Sequence, residues 1–154
     1  QDDEKTNLVV QNHHDGSIDI NTFRNGLHDL LLLLKKKRVL VVLALDVPHL
    51  EALPTVCLTK NGGSCEFRKS EIIEQQRFSR ELRIELANGF DNVVIFDPMS
   101  IFCAPSSEQC QILHDGRTMF RDTHHLSMFG SNIYGSAFSK WLIKSNIIQD
   151  SVDH

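Results

Sequence analysis

The spacing of apolar residues changes along the chain, and this change predicts an alternation of helices and strands. Between Ile20 and Leu34 apolar residues recur every three or four positions, the period of an amphipathic helix, and Asp19 can cap its start. The lysines 35–37 follow where cations favour the C-terminal end of a helix dipole. The continuous apolar run Val39–Leu45 is instead typical of a strand covered on both faces, as in a parallel sheet.

Four more segments extend this alternation. The runs Leu8–Val10 and Val93–Phe96 are interpreted as short buried strands. Amphipathic helices are predicted from Ser70 to about Gly89 and from about Ser131 to Ser145. Residues 50–68 show neither period and are predicted to be irregular. Because strands alternate with helices, we expect an α/β fold, with a mostly parallel sheet between two helical layers.

Length and charge narrow the class of protein. A chain of 154 residues is expected to form a single domain over residues 1–154, with the polar residues 1–7 flexible. Sixteen basic and twenty acidic side chains give a formal charge of -4, which argues against a nucleic-acid partner. No apolar run approaches the roughly 20 residues of a membrane span. The chain starts at Gln1 without Met, so we expect it to be a piece of a longer protein.

The four cysteines form two local pairs, each enclosing a short polar loop. Cys57 and Cys65 flank a Gly-Gly loop, and Cys103 and Cys110 flank an Ala-Pro-Ser-Ser loop. Four cysteines allow three connectivities, and we favour the local disulfides 57–65 and 103–110, which are typical of an oxidising compartment. A zinc site is the alternative, but zinc ligands are more often separated by two to four residues.

The segment that carries candidate chemistry places Asp122 three residues before His125, just ahead of a predicted helix. In an Asp-x-x-His turn the carboxylate can accept a hydrogen bond from one ring nitrogen, which leaves the other nitrogen free as a general base. The alternative is a structural turn, in which Asp122 caps backbone donors and both His124 and His125 are merely exposed.

The longer string Phe120–Gly130 resembles the terminal block of the SGNH hydrolase superfamily. Its Asp-x-x-His-Leu-Ser-x-x-Gly form is that of SGNH domains fused to membrane acyltransferase-3 proteins. Weaker similarities precede it, and the resemblance covers most of residues 8–145. They are the strand 37–42 ending near Pro48, the segment Cys57-Leu58, the segment 94–98, and the cysteines 103 and 110.

This resemblance implies a flavodoxin-like α/β/α sandwich outside the cytoplasm, periplasmic or extracellular, tethered through a membrane-embedded acyltransferase parent. It implies transfer or hydrolysis of acyl esters, commonly acetyl groups on cell-surface saccharides, without a cofactor. His125 would be the general base and Asp122 its orienting carboxylate. His124 ranks second as the base because its spacing from Asp122 departs from the family pattern.

The nucleophile of the family lies in a Gly-Asp-Ser block after the first strand, and this chain contains no such tripeptide. Asp15-Gly16-Ser17 is the nearest sequence, but its order is wrong, so Ser17 is a weak candidate. We expect the first strand and its serine to precede Gln1, which would leave this chain inactive alone. Asn12 is the candidate oxyanion or substrate ligand, although an asparagine in a turn needs no such role.

Three functions remain open. The leading hypothesis is acyl transfer to hydroxyls of a saccharide acceptor, and a carbohydrate esterase or deacetylase with the same triad is its closest rival. The third is a saccharide-binding domain without catalysis. Asp46 and His49, after the predicted central strand, could line the substrate loop or be merely solvated. No metal is predicted, because adjacent histidines seldom share one ion and the chemistry needs none.

Overall fold

Helices and strands alternate through the part of the chain that this computed structural model describes, residues 20–60 and 66–148. The strand predicted at Leu8–Val10 and the segment 1–7 lie outside these residues. The elements in chain order are α1 (Ile20–Lys36), β1 (Val41–Ala44), α2 (Pro54–Lys60), β2 (Glu66–Arg68), α3 (Lys69–Gln75), α4 (Arg77–Asn88), β3 (Val93–Phe96), α5 (Met99–Phe102), β4 (Gln109–Gln111), β5 (Leu113–His114), β6 (Arg117–Thr118) and α6 (Met128–Lys144).

The central sheet pairs β1 with β3 in parallel, in a register that runs from Val41 opposite Val93 to Ala44 opposite Phe96. Backbone hydrogen bonds at the two ends of this register join Val41 N to Asn92 O at 2.8 Å and Leu45 N to Phe96 O at 2.9 Å. A parallel pair needs a long crossover, which the helices between the two strands supply. The predicted mixed α/β class with a parallel sheet is therefore confirmed.

Side chains alternate between the two faces of this sheet. Val93 on one face joins a core with Leu31 of α1 and Leu82 of α4, both almost fully buried. Phe96 on the other face contacts three aromatic rings of α6 at centroid distances of 4.9 to 5.5 Å. These rings belong to Tyr134, Phe138 and Trp141. Helices thus contact both faces of the sheet.

A second core lies beneath the segment that leads to Asp122. Phe120, Met119 and Ile112 are at most 2% exposed and pack with the buried cysteines 103 and 110. Those cysteines form a disulfide with a Cα–Cα distance of 4.2 Å, the pairing that the sequence predicts. Cys57 is also disulfide-bonded, while its predicted partner, Cys65, lies outside the described residues.

Two predictions of local structure were wrong. The helix expected from Ser70 to Gly89 is broken at Gln76, whose side-chain Nε2 donates to Val47 O at 2.7 Å. This tertiary hydrogen bond ties the break to the loop after β1. The stretch expected to be irregular, 50–68, contains α2 and also β2, which pairs antiparallel with β4. The segment Glu66–Arg68 therefore forms a strand because it pairs with a segment that is distant in sequence.

The central strand is shorter and less covered than predicted. It spans Val41–Ala44, while Val39 and Leu40 before it are 43% and 48% exposed. Among the described strands, β3 is the only partner of β1. Within the described residues, none of the helices has the length and apolar character needed to cross a bilayer.

Candidate active site

The predicted Asp-x-x-His segment forms a closed turn on the surface, ahead of α6. Phe120 and Leu126 form an antiparallel bridge at its base, and Arg121 N donates to His125 O at 2.9 Å. Phe120 is 1% exposed, so the turn is attached directly to the second core. The backbone thereby holds Asp122 and His125 side by side on a short loop.

Asp122 and His125 are in direct contact through their side chains. His125 Nδ1 lies 3.0 Å from Asp122 Oδ1 and 2.9 Å from Oδ2. An ionised carboxylate only accepts, so Nδ1 carries the proton and Nε2 is left with its lone pair. The His125 side chain is 55% exposed. A basic nitrogen in a fixed tautomer is thus accessible to a reacting group.

The Asp122 carboxylate is also held by the backbone of its own turn. Oδ1 accepts hydrogen bonds from the backbone N–H of His124 at 3.0 Å and of His125 at 2.8 Å. The His124 N–H, followed by the His125 N–H and ring, stabilises the anion and more than offsets burial, so the pKa of Asp122 lies far below its ordinary value of 3.8. Asp122 therefore stays ionised when it orients His125.

The start of α6 fixes the distance between this turn and the second core. Ser127 caps the helix, since its Oγ accepts from Gly130 N at 3.0 Å while donating to Thr118 O at 3.0 Å. Gly130 is buried against Met119, where a Cβ would overlap the carbonyl group. Helix α6 can therefore begin this close to the Met119 backbone only with glycine at position 130.

The loop that follows β1 reaches the same turn. Leu50 N donates to Thr123 O at 2.7 Å. This bond brings the exposed His49 ring to a centroid distance of 5.9 Å from His124, which lies 4.0 Å from the His125 ring. Loops at the carboxyl ends of parallel strands commonly build sites, and β1 supplies such a loop here.

A family model described as "SGNH domain (fused to AT3 domains)" matches residues 2–140, a span that contains this whole turn. The chain belongs to this SGNH domain family. Comparison with the curated proteins and with the solved structures gives no match. Membership agrees with the resemblance seen in the sequence and suggests a role of the acyltransferase or esterase type.

The other predicted site residues of the SGNH domain fall into two groups. Asn12 and Ser17 lie outside the described residues. Asp46, considered for the substrate loop, is instead engaged by α4, where Arg83 Nη1 lies 2.9 Å and Ser79 Oγ 3.1 Å from its Oδ2. Sequence reasoning did not foresee that His49 would lie next to His124, and its position after a buried strand was the only available signal.

A cation site is the other chemistry that this turn could offer. The candidate ligands are Asp122, His124 and His125. Among the described residues, one ligand atom from each lies within 4.8 Å of the others. The carboxylate is already used by backbone and ring donors, and His124 Nδ1 lies 3.1 Å from Thr123 Oγ1. The arrangement is thus better suited to orienting an imidazole than to surrounding an ion.

Proposed function

We propose that this SGNH domain transfers an acyl group, most simply acetyl, to hydroxyls of a cell-surface saccharide through a Ser-His-Asp triad. The observation that carries the proposal is the contact of His125 Nδ1 with both oxygens of an ionised Asp122, in a histidine whose side chain is 55% exposed. The serine would come from sequence preceding Gln1, since the chain lacks the Gly-Asp-Ser block of the family. His124 is not the base in this proposal, because its Nδ1 lies 3.7 Å from Asp122.

Each half-reaction uses the same nitrogen. In the first, His125 Nε2 takes the proton of the serine hydroxyl as the oxygen attacks the acyl carbonyl, and then returns it to the departing donor group. In the second, Nε2 takes the proton of the acceptor hydroxyl, which attacks the acyl-enzyme, and returns it to the serine. Asp122 stabilises the imidazolium formed in each step.

The architecture that we propose around this site is a three-layer, flavodoxin-like sandwich, of which residues 1–154 form the larger part. Helices on both faces of β1 and β3 support it. Asn12, after the strand predicted at Leu8–Val10, would add an oxyanion or substrate ligand.

The Cys103–Cys110 disulfide supports a periplasmic or external location, and the family's fusion to AT3 domains supports a membrane-tethered parent that supplies the acyl group.

Hydrolysis is the second candidate function. The His125 side chain is 55% exposed, so water can reach the position that an acceptor hydroxyl would occupy. Water in place of the saccharide would make the domain a carbohydrate esterase or deacetylase with unchanged roles for Asp122 and His125. Analysis of products with and without a saccharide acceptor separates the two functions.

The proposal is tested in the parent protein that contains this domain. His125→Ala and Asp122→Asn are each expected to lower kcat/KM for acyl transfer by about 10³-fold or more, because the base or its tautomer is lost. His28→Ala removes a similarly exposed imidazole beside a carboxylate, Asp29, on α1, and should leave the rate unchanged. Chelation with EDTA should also have no effect.

Retention of wild-type transfer in His125→Ala would refute the assignment of the base. Absence of both transfer and hydrolysis in the wild-type parent, with binding of saccharides retained, would instead favour a binding domain without catalysis.

A further inference from the structure

Three imidazoles form an exposed row beside the proposed base. The ring centroids of His49 and His124 are 5.9 Å apart, and those of His124 and His125 are 4.0 Å apart. His125 is held by Asp122, but His49 and His124 have no part in the proton transfers. We infer that His49 and His124 bind the hydroxyls of the acyl acceptor next to the one that reacts, an inference that rests on the proposed function.

The position of this row is fixed by the backbone. The Leu50 N–H to Thr123 O bond of 2.7 Å joins the loop carrying His49 to the turn carrying His124. Pro48 beside it is fully buried, which anchors that loop to the core. The two rings therefore come from separate parts of the chain but share one surface with the His125 ring.

The chemistry of the row suits a polyhydroxylated ligand. A neutral imidazole has one donor and one acceptor, which is the complement of a hydroxyl group. His124 Nδ1 lies 3.1 Å from Thr123 Oγ1, so its Nε2 remains for a ligand, and its side chain is 52% exposed. A hydroxyl at His125 would thus have neighbours on the same sugar ring within reach of His124 and then of His49, whereas a simple alcohol would use neither.

Binding is tested on this chain by NMR of the histidine ring signals during titration with methyl glycosides of glucose, galactose, rhamnose and N-acetylglucosamine. We expect saturable shifts at His49 and His124 with at least one glycoside, none at His28, and none with 1-propanol. The double variant His49→Phe/His124→Phe keeps planar rings without their nitrogens and should weaken binding about tenfold for each hydrogen bond lost. His28→Phe is the matched control.

Absence of saturable shifts with every glycoside, or undiminished affinity in the double variant, would overturn the inference. In the parent protein the same double variant should raise KM for the acceptor much more than it lowers kcat, because it removes binding rather than the base. Normal acceptor KM in the double variant would reject the inference alone, whereas loss of all turnover in the wild type would reject the proposed function.

Discussion

The Asp122 side chain serves two purposes that the sequence presents as alternatives. It caps the backbone donors of His124 and His125 and also holds the His125 ring. A carboxylate has two oxygens and about four acceptor positions, so one residue can do both. The capping bonds hold the carboxylate in the position from which it orients the imidazole. The structural turn is therefore part of the proposed catalytic site.

This arrangement predicts how stability depends on pH. Because the pKa of Asp122 is lowered in the folded state, its stabilising contribution is fully present above the ordinary value of 3.8 and is lost as pH falls toward the folded-state pKa. The difference in Tm between the wild type and Asp122→Asn should therefore be largest above about pH 5 and shrink in acid. Thermal melts across a pH series measure it.

An equal Tm difference at every pH would contradict a role for the charge. Asp29 supplies the control, since its carboxylate is exposed on α1 and also lies beside a histidine, His28. Asp29→Asn should lower Tm less than Asp122→Asn does at neutral pH, because its carboxylate is 71% exposed.

At the scale of single residues the spacing of Asp122 and His125 was enough to predict their contact, because residues three apart in a tight turn lie close together. The neighbours of the pair were not predictable. His49 reaches His124 only through a tertiary hydrogen bond, and Asp46 is engaged by Arg83 because α4 passes beside it. Both contacts depend on how distant segments pack.

At the scale of elements, the start of α6 positions the proposed base, and Gly130 is its tightest point. Gly130→Ala would place a Cβ against the Met119 carbonyl, so we expect a loss of about 1 to 3 kcal/mol in the free energy of unfolding. Gly135→Ala is the matched control in the same helix, where the added Cβ meets nothing within 4 Å. It should instead stabilise by about 0.5 to 1 kcal/mol.

Chemical denaturation of the two glycine variants measures these changes. Equal effects of the two substitutions would show that the close approach of α6 to Met119 does not exist in solution.

Elements with strong periodicity were predictable, and those that depend on a distant partner were not. Helix α1 and strand β3 have nearly the predicted bounds, because their patterns are long or continuous. Helix α6 begins at Met128 rather than near Ser131, because Ser127 supplies a cap bonded to Thr118. The break at Gln76 is a tertiary effect that no local pattern in the sequence reveals.

At the scale of the whole molecule, helices α1 and α4 together are wider than the two strands described for the central sheet. Two helices side by side span about 20 Å, whereas two strands span about 10 Å. Helices α1 and α4 are linked by the Arg24–Glu85 ion pair and share a core over β1 and β3. The two described strands are therefore too narrow to cover both helices completely.

The sequence predicted one apolar face on α1, and only part of that face is buried. Leu31 is 0% exposed, but Phe23 and Leu30 are 45% and 48% exposed, and Leu33 beside them is 53% exposed. The periodicity of a helix reveals which side is apolar but not how many strands lie beneath it. This is why the helix could be predicted and the extent of its burial could not.

We therefore expect this chain to bind the dye ANS in its native state, through the exposed side chains of Phe23, Leu30 and Leu33. The double variant Leu30→Lys/Leu33→Lys should reduce the fluorescence without lowering Tm, because both side chains are already about half exposed. Ile73→Lys/Ile84→Lys changes two residues that are each 39% exposed on α3 and α4 and should reduce it less. A fall of several degrees in Tm for the Leu30/Leu33 variant would mean that these leucines are covered in solution, which would contradict the exposure of this part of α1.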